Sequence, residues 1–213
     1  MRGLDLEKLQ AYLDSPPLTG TMFAGGRSNL TYAVTDGTNR WVLRRPPLGH
    51  VLPTAHDMAR EHRVLSALSQ AGFPVPKPVL LCDDISVIGA PFYLMEHVDG
   101  KIYREAADLA RIDLHALTLT LVDTLADLHA LDPVAIGLGD FGRPEGFNER
   151  QVRRWKKQLD ASRSRELAGI EELHARLAVD IPAGGPGAVV HGDFRLDNVL
   201  IGAGLTVNAV LDW

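Results

Sequence analysis

His191-Gly192-Asp193-Phe194-Arg195-Leu196-Asp197-Asn198, followed fourteen residues later by Asp212 in Val210-Leu211-Asp212-Trp213, decides how this chain is read. An aspartate, an asparagine five residues on and a second aspartate beyond a short strand pair are the groups that phosphoryl transfer from ATP requires. That chemistry leaves a protein little covalent work. It needs a carboxylate to orient the attacking hydroxyl and oxygen ligands to hold magnesium against the phosphates. Asp193 is the candidate for the first task. Asn198 and Asp212 are candidates for the second, as ligands of the hard-oxygen type that magnesium prefers. His191 reads as structural, bonding backbone to fix the loop that presents Asp193. His-Gly-Asp alone equally describes a turn with a capping aspartate and a buried histidine. The Asn and Asp at their offsets, among β-forming residues, favour the catalytic reading. Asp197 stays open between a local turn bond to backbone and a metal role.

The rest of the chain limits the alternatives. With 213 residues it can bury a substantial core, as one large domain or two small lobes. Hydrophobic residues make up 46% and charged residues 23%, which excludes disordered and fibrous classes. A net charge of -5 argues against a nucleic-acid partner, which calls for a basic face. Cys82 is the one cysteine, so neither an internal disulfide nor a cysteine zinc site is available, and a reducing compartment is expected. The first fourteen residues lack the apolar centre of a signal peptide, and no apolar run nears the roughly 18 residues of a membrane span. The expectation is a cytoplasmic protein without a membrane partner.

Leu4, Leu6, Leu9 and Leu13 fall near helical spacing ahead of Pro16-Pro17. Strands are expected at Thr21–Ala24, Leu30–Thr35 and Arg40–Arg44, with a tight turn at Asp36-Gly37. Thr54 is the expected cap of a helix running to about Gln70, with Met58, Val64, Leu65 and Leu68 inward and Gly72 past its end. Strands near Val79–Cys82 and Phe92–Glu96 follow. Beyond Asp99-Gly100 the texture turns helical. Ile112–Ala130 carries an apolar stripe of Leu114, Leu117, Leu121, Val122, Leu125 and Leu128. Asn148–Ser162 and Arg165–Ala178 read as helices, and Ala188–Val190, Val199–Ile201 and Val207–Leu211 as short strands. A sheet-rich half, residues 1–96, and a helix-rich half, residues 97–213, make an α+β two-lobed pattern.

In the first half, Gly25-Gly26-Arg27-Ser28-Asn29 lies between two strands, where backbone amides can approach phosphate and Ser28 or Asn29 can add donors. It is neither a P-loop nor a GxGxxG fingerprint. Arg44, at the end of Trp41-Val42-Leu43-Arg44, is placed to meet the α- and β-phosphates, with Glu61 seventeen residues on to orient it. Arg45 competes for that role, and a solvated strand end explains either. Glu96 and Val98, in Tyr93-Leu94-Met95-Glu96-His97-Val98, would offer backbone to an adenine edge, though a buried strand accounts for them equally. Arg153-Arg154-Trp155-Lys156-Lys157 suggests an anionic substrate site. A solvated helix face with Trp155 packed inward is the preferred reading.

Taken together, GGRSNLTY, WVLRRPP, REHRVLSAL, YLMEHVDG, LADLHALDP and HGDFRLDNVLI with AVLDW resemble the aminoglycoside phosphotransferase family of small-molecule kinases. The EGFNERQVRRWKKQLD stretch is most similar to the branch that includes kinase-like domains of acyl-CoA dehydrogenase fusions. The resemblance implies a protein-kinase-like fold, with an antiparallel N-terminal sheet plus helix and a helical C-terminal lobe. It also implies ATP with Mg2+ as donor and a small-molecule hydroxyl as acceptor, an aminoglycoside-like antibiotic or a metabolite. Asp193 then matches the catalytic aspartate, Asn198 and Asp212 the metal ligands, and Glu61 the partner of the phosphate-contacting residue. Arg44 stands where lysine is usual. Family members continue beyond the Asp212 strand, so a longer gene product is expected. A hydroxyacyl-CoA kinase and a nucleotide-binding regulatory module are the two alternatives.

Overall fold

The computed structural model describes residues 1–23, 29–49 and 57–213. It divides into two compact units, Met1–Ala130 with Val190–Trp213, and Leu131–Val189. The first unit begins with helix α1 (Leu6–Leu13), where the Asp5 carboxylate accepts from the Lys8 amide at 3.1 Å. The helix stops before Pro16-Pro17 can act on it, because Asp14 turns into the left-handed region at φ 47°. Strands β1 (Thr19–Met22), β2 (Leu30–Thr35) and β3 (Arg40–Arg45) then run antiparallel. The first starts two residues earlier than its composition suggested. The expected phosphate-loop positions Gly25, Gly26 and Ser28, like Thr54, lie outside the described residues.

Helix α2 (Met58–Gln70) is capped by Asp57, which accepts from the Arg60 amide at 2.9 Å. It buries Met58, Val64, Leu65 and Leu68, as the spacing required. Strand β4 (Pro78–Cys82) is followed by a four-residue helix, α3 (Ile85–Ile88), that periodicity is too short to reveal; Asp84 caps it. Strand β5 (Phe92–Glu96) completes a sheet of order β1-β2-β3-β5-β4. Side chains alternate across that sheet. Tyr32, Val34, Leu43, Phe92 and Leu94 pack on one side with Leu4, Leu9 and Leu18.

Helix α4 (Leu114–Ala130) begins behind Asp113, whose carboxylate accepts from the Ala116 amide at 3.0 Å. The expected stripe is only partly a core face: Leu117 and Leu128 are buried, whereas Leu114 and Val122 are exposed. Leu117 packs with Val199 and Ile201 of an antiparallel hairpin, β6 (Val199–Ile201) and β7 (Val207–Val210). In the second unit, α5 (Phe147–Ser162) and α6 (Ile170–Val179) are joined by Lys156–Glu171 and Arg163–Glu171 ion pairs at 3.2 and 2.9 Å. Two expectations fail here. Trp155 is 59% exposed, because the helix turns Lys156 and not its neighbour toward α6. Ala188–Val190 is no strand, since it has no ladder partner among the described residues. Among the described residues no helix is long and apolar enough to cross a membrane.

The segment after β5 is stitched to the hairpin. Lys101 and Ile201 exchange backbone hydrogen bonds at 2.8 and 2.9 Å, and Asn208 donates to the Asp99 carbonyl at 2.7 Å. A side chain on Gly100 would stand 2.9 Å from Leu200 Cβ and 3.3 Å from the Ile201 carbonyl. Gly100→Ala is therefore expected to destabilise the protein by about 1–3 kcal/mol, as overpacking does. Urea denaturation checks this, and an unchanged midpoint would refute the close approach.

Candidate active site

His191, Asp193, Asn198 and Asp212 are gathered by a loop, one turn of 3-10 helix (Leu196–Asn198) and the β6–β7 hairpin. Gly192 has φ +85°, a conformation that favours glycine, and it reverses the chain between His191 and Asp193. The Asp193 amide donates to His191 Nδ1 at 3.2 Å, while His191 Nε2 lies 2.8 Å from the Leu211 carbonyl. With Nδ1 accepting, Nε2 carries the proton, which assigns a neutral tautomer. His191 thus spans the loop and the segment holding Asp212, as a structural residue would. The ring lies 4.6 Å from the Trp213 ring.

Asn198 Nδ2 donates to Asp193 twice, to its carbonyl at 3.0 Å and to carboxylate Oδ2 at 3.1 Å. The Asn198 carbonyl accepts from the Leu211 amide at 2.7 Å, which brings the asparagine beside Asp212. On the other side, the Val210 amide donates to the Pro74 carbonyl at 2.8 Å and Phe73 meets Trp213 edge to face. Asp212 is therefore held between anchors before and after it. It has φ 66°, a left-handed backbone that aspartate tolerates better than most residues. Asp197 pairs with the Arg195 side chain, a contact different from the turn bond to backbone that was one of its two readings.

The sheet delivers the cation. Arg44 Nη2 donates to Asp212 Oδ1 at 2.9 Å, and Arg44 Nε lies 3.3 Å from Glu61 Oε2. Their side chains are 11% and 13% exposed for Arg44 and Glu61, against 52% for Asp212. Burial works to lower the Arg44 pKa, but Tyr93, Glu61 and Asp212 together outweigh it, and the guanidinium is held above its ordinary range. Arg45, the competing cation, points to the opposite face, where it bonds the carbonyls of Gly3, Ile88 and Pro46. Asn29 donates to Glu61 Oε1 at 2.8 Å. Sequence reasoning missed Tyr93, whose hydroxyl donates to Glu61 Oε2 at 3.0 Å. The signal lay in its register opposite Arg44, which depends on a β3–β5 pairing that no local pattern reveals. The Glu96 amide donates to the Lys77 carbonyl at 2.8 Å, and Val98 lies beyond the β5 ladder.

No cluster of three His, Cys, Asp or Glu suited to a metal occurs among the described residues. Magnesium would take from this chain the Asp212 carboxylate and the amide oxygen of Asn198, whose nitrogen is committed to Asp193. Two protein oxygens suffice for an ion that usually keeps waters and takes phosphate oxygens. The donor set fits.

The family model described as the phosphotransferase enzyme family matches residues 19–213. Acyl-CoA dehydrogenase family member 11 of Gallus gallus is 42% identical, over 92% of this chain and 26% of its own length. Its Rattus norvegicus counterpart is 39% identical, over 98% and 29%. The chain thus spans under a third of the length of these relatives. A Ralstonia eutropha structure, named provisionally as an aminoglycoside phosphotransferase, superposes with TM-score 0.85 at 34% identity, covering 98% of this chain and 64% of that one. An aminoglycoside phosphotransferase solved with AMP-PNP and hygromycin B shares the fold at TM-score 0.66 and 19% identity, over 98% and 70%.

Burial raises the Glu61 pKa above its usual 4.5; Arg44, Tyr93 and Asn29 pull it back only in part, and Asp212 adds to the push. Stability from the protonated form is fully present below about pH 4.5 and is lost as the pH rises through the folded value. The stability difference between wild type and Glu61→Gln should therefore move in the variant's favour as pH rises from about 4.5. Urea titrations at stepped pH, without nucleotide, read this. Movement the other way would mean that the Arg44 pair outweighs burial.

Proposed function

Because this chain belongs to the phosphotransferase enzyme family, we propose that it transfers the γ-phosphoryl group of MgATP to a hydroxyl of a small molecule. The observation that carries this reading is the Asp193 carboxylate held by Asn198 Nδ2 at 3.1 Å, with Asn198 bonded to the segment that bears Asp212. Asp193 accepts a hydrogen bond from the acceptor hydroxyl and takes its proton as the new O–P bond forms. The bond from the γ-phosphorus to the β,γ-bridging oxygen breaks, and ADP leaves. Asn198 keeps Asp193 from rotating out of line, so that much of the barrier is met by positioning. Arg44, oriented by Glu61 and bonded to Asp212 through Nη2, presents the rest of its guanidinium to the α- and β-phosphates, and backbone near Glu96 and Val98 meets the adenine edge. Magnesium, when held by Asn198 and Asp212, neutralises charge on the phosphate oxygens.

One observation favours a specific acceptor class. The curated relatives that cover 92% and 98% of this chain are named as acyl-CoA dehydrogenase family members. A hydroxyacyl thioester of coenzyme A is accordingly a second reading of the acceptor, beside an aminoglycoside-like antibiotic. ATP consumption across a panel holding both kinds separates them. Nucleotide binding without turnover on either would favour the regulatory module.

Asp193→Ala is expected to lower turnover by about a factor of 100 to 10,000, the usual range for losing a general base. The MgATP-dependent rise in melting temperature should persist, since the variant leaves the nucleotide contacts in place. Full turnover in this variant would remove Asp193 from the role.

A further inference from the structure

We infer that Tyr93 and Asn29 are positioning residues: together they lock the Glu61 carboxylate so that Arg44 is aimed at the phosphates of a bound nucleotide. This rests on the nucleotide reading above. Both oxygens of Glu61 are engaged, Oε1 by Asn29 Nδ2 at 2.8 Å and Oε2 by the Tyr93 hydroxyl at 3.0 Å and Arg44 Nε at 3.3 Å. The four residues come from separate elements: Asn29 just before β2, Arg44 in β3, Glu61 in α2 and Tyr93 in β5. Tyr93 stands opposite Arg44 in the β3–β5 register, so both side chains rise from the sheet face that meets Glu61.

The arrangement fixes direction, not only charge. A guanidinium recognises phosphate through a rigid fork, so a rotation that a lysine ammonium would tolerate misaligns it. Arg44 is nearly enclosed and cannot turn to water for another partner. If Glu61 lost its two neutral donors, the carboxylate would pivot about Arg44 and carry the fork with it. Tyr93 suits the task because burial pushes its phenol far above the ordinary range, leaving it a donor at every working pH. Asn29 Nδ2, a candidate phosphate donor in the sequence, gives one of its hydrogens to Glu61.

The test measures MgADP and adenosine affinities by calorimetry, for the full chain and for Tyr93→Phe, Asn29→Ala and Asn29→Asp. Tyr93→Phe keeps the ring, so the fold is retained in that variant, and circular dichroism checks the fold of the two Asn29 variants. Tyr93→Phe and Asn29→Ala should each weaken MgADP about tenfold, the scale of a lost hydrogen bond to a charged group, with adenosine unaffected. Asn29→Asp should lose more than Asn29→Ala, because a second carboxylate would then face Glu61. In a Glu61→Ala background, Tyr93→Phe should cost nothing further. Equal weakening of adenosine and MgADP would mean a merely structural role and overturn the inference. Unchanged MgADP affinity would overturn it too, leaving the nucleotide reading intact. If the wild-type chain binds neither ligand, that reading fails and the inference falls with it.

Discussion

A largely buried carboxylate at Glu61 is the constraint around which the first unit is arranged. An ionised group in that position is tolerable only if paired and hydrogen-bonded. The sheet order places β3 beside β5, which sets Arg44 and Tyr93 as neighbours on one face. The Asp57 cap fixes where α2 starts and hence which face carries Glu61. Asn29 closes the remaining oxygen. Arg44 then has one end of its fork left over, and that end reaches Asp212. The Arg44 guanidinium thereby joins the sheet to the segment after the hairpin.

The hairpin side is organised differently. It depends less on charge than on backbone groups that answer one another: Leu211 to Asn198, Val210 to Pro74 and Lys101 to Ile201. His191 adds one side chain to that framework and joins the two halves of the acidic motif. The result is a rigid frame bearing partly exposed carboxylates, the combination a site needs if it is to be precise and still reachable.

Much of this was legible in the sequence. The offsets from Asp193 to Asn198 and Asp212 named the acidic cluster, and the Arg44–Glu61 pair followed from a strand end and the helix after it. Strands β2, β3 and β5 were written in their residue types, because β-branched and aromatic runs bounded by turn residues are a strong local signal. What escaped was non-local or too short to have a period. Tyr93 could be matched to Glu61 only by knowing which strands are neighbours, and Phe73 and Pro74 gave no sign that they anchor Trp213 and Val210. Helix α3 has a single turn. Trp155 reads as the inward residue of a solvated basic face, whereas the Lys156 and Arg163 contacts with Glu171 set the rotation of α5. The apolar residues of α4 marked a helix correctly but overstated how much of its surface is covered.

The Arg44–Asp212 contact joins residues 168 positions apart in the chain. At a synthesis rate of about 5–20 residues per second, Arg44 leaves the ribosome roughly 10 to 30 s before the carboxylate it will hold. The five-stranded sheet can assemble in that interval, and Arg44 with Glu61 already forms a neutral pair inside it. Asp212 arrives at a charge that is compensated beforehand. The nascent sheet is thus spared a long wait with an unpaired ion in its interior, and the final contact becomes a late closure that does not have to drive folding.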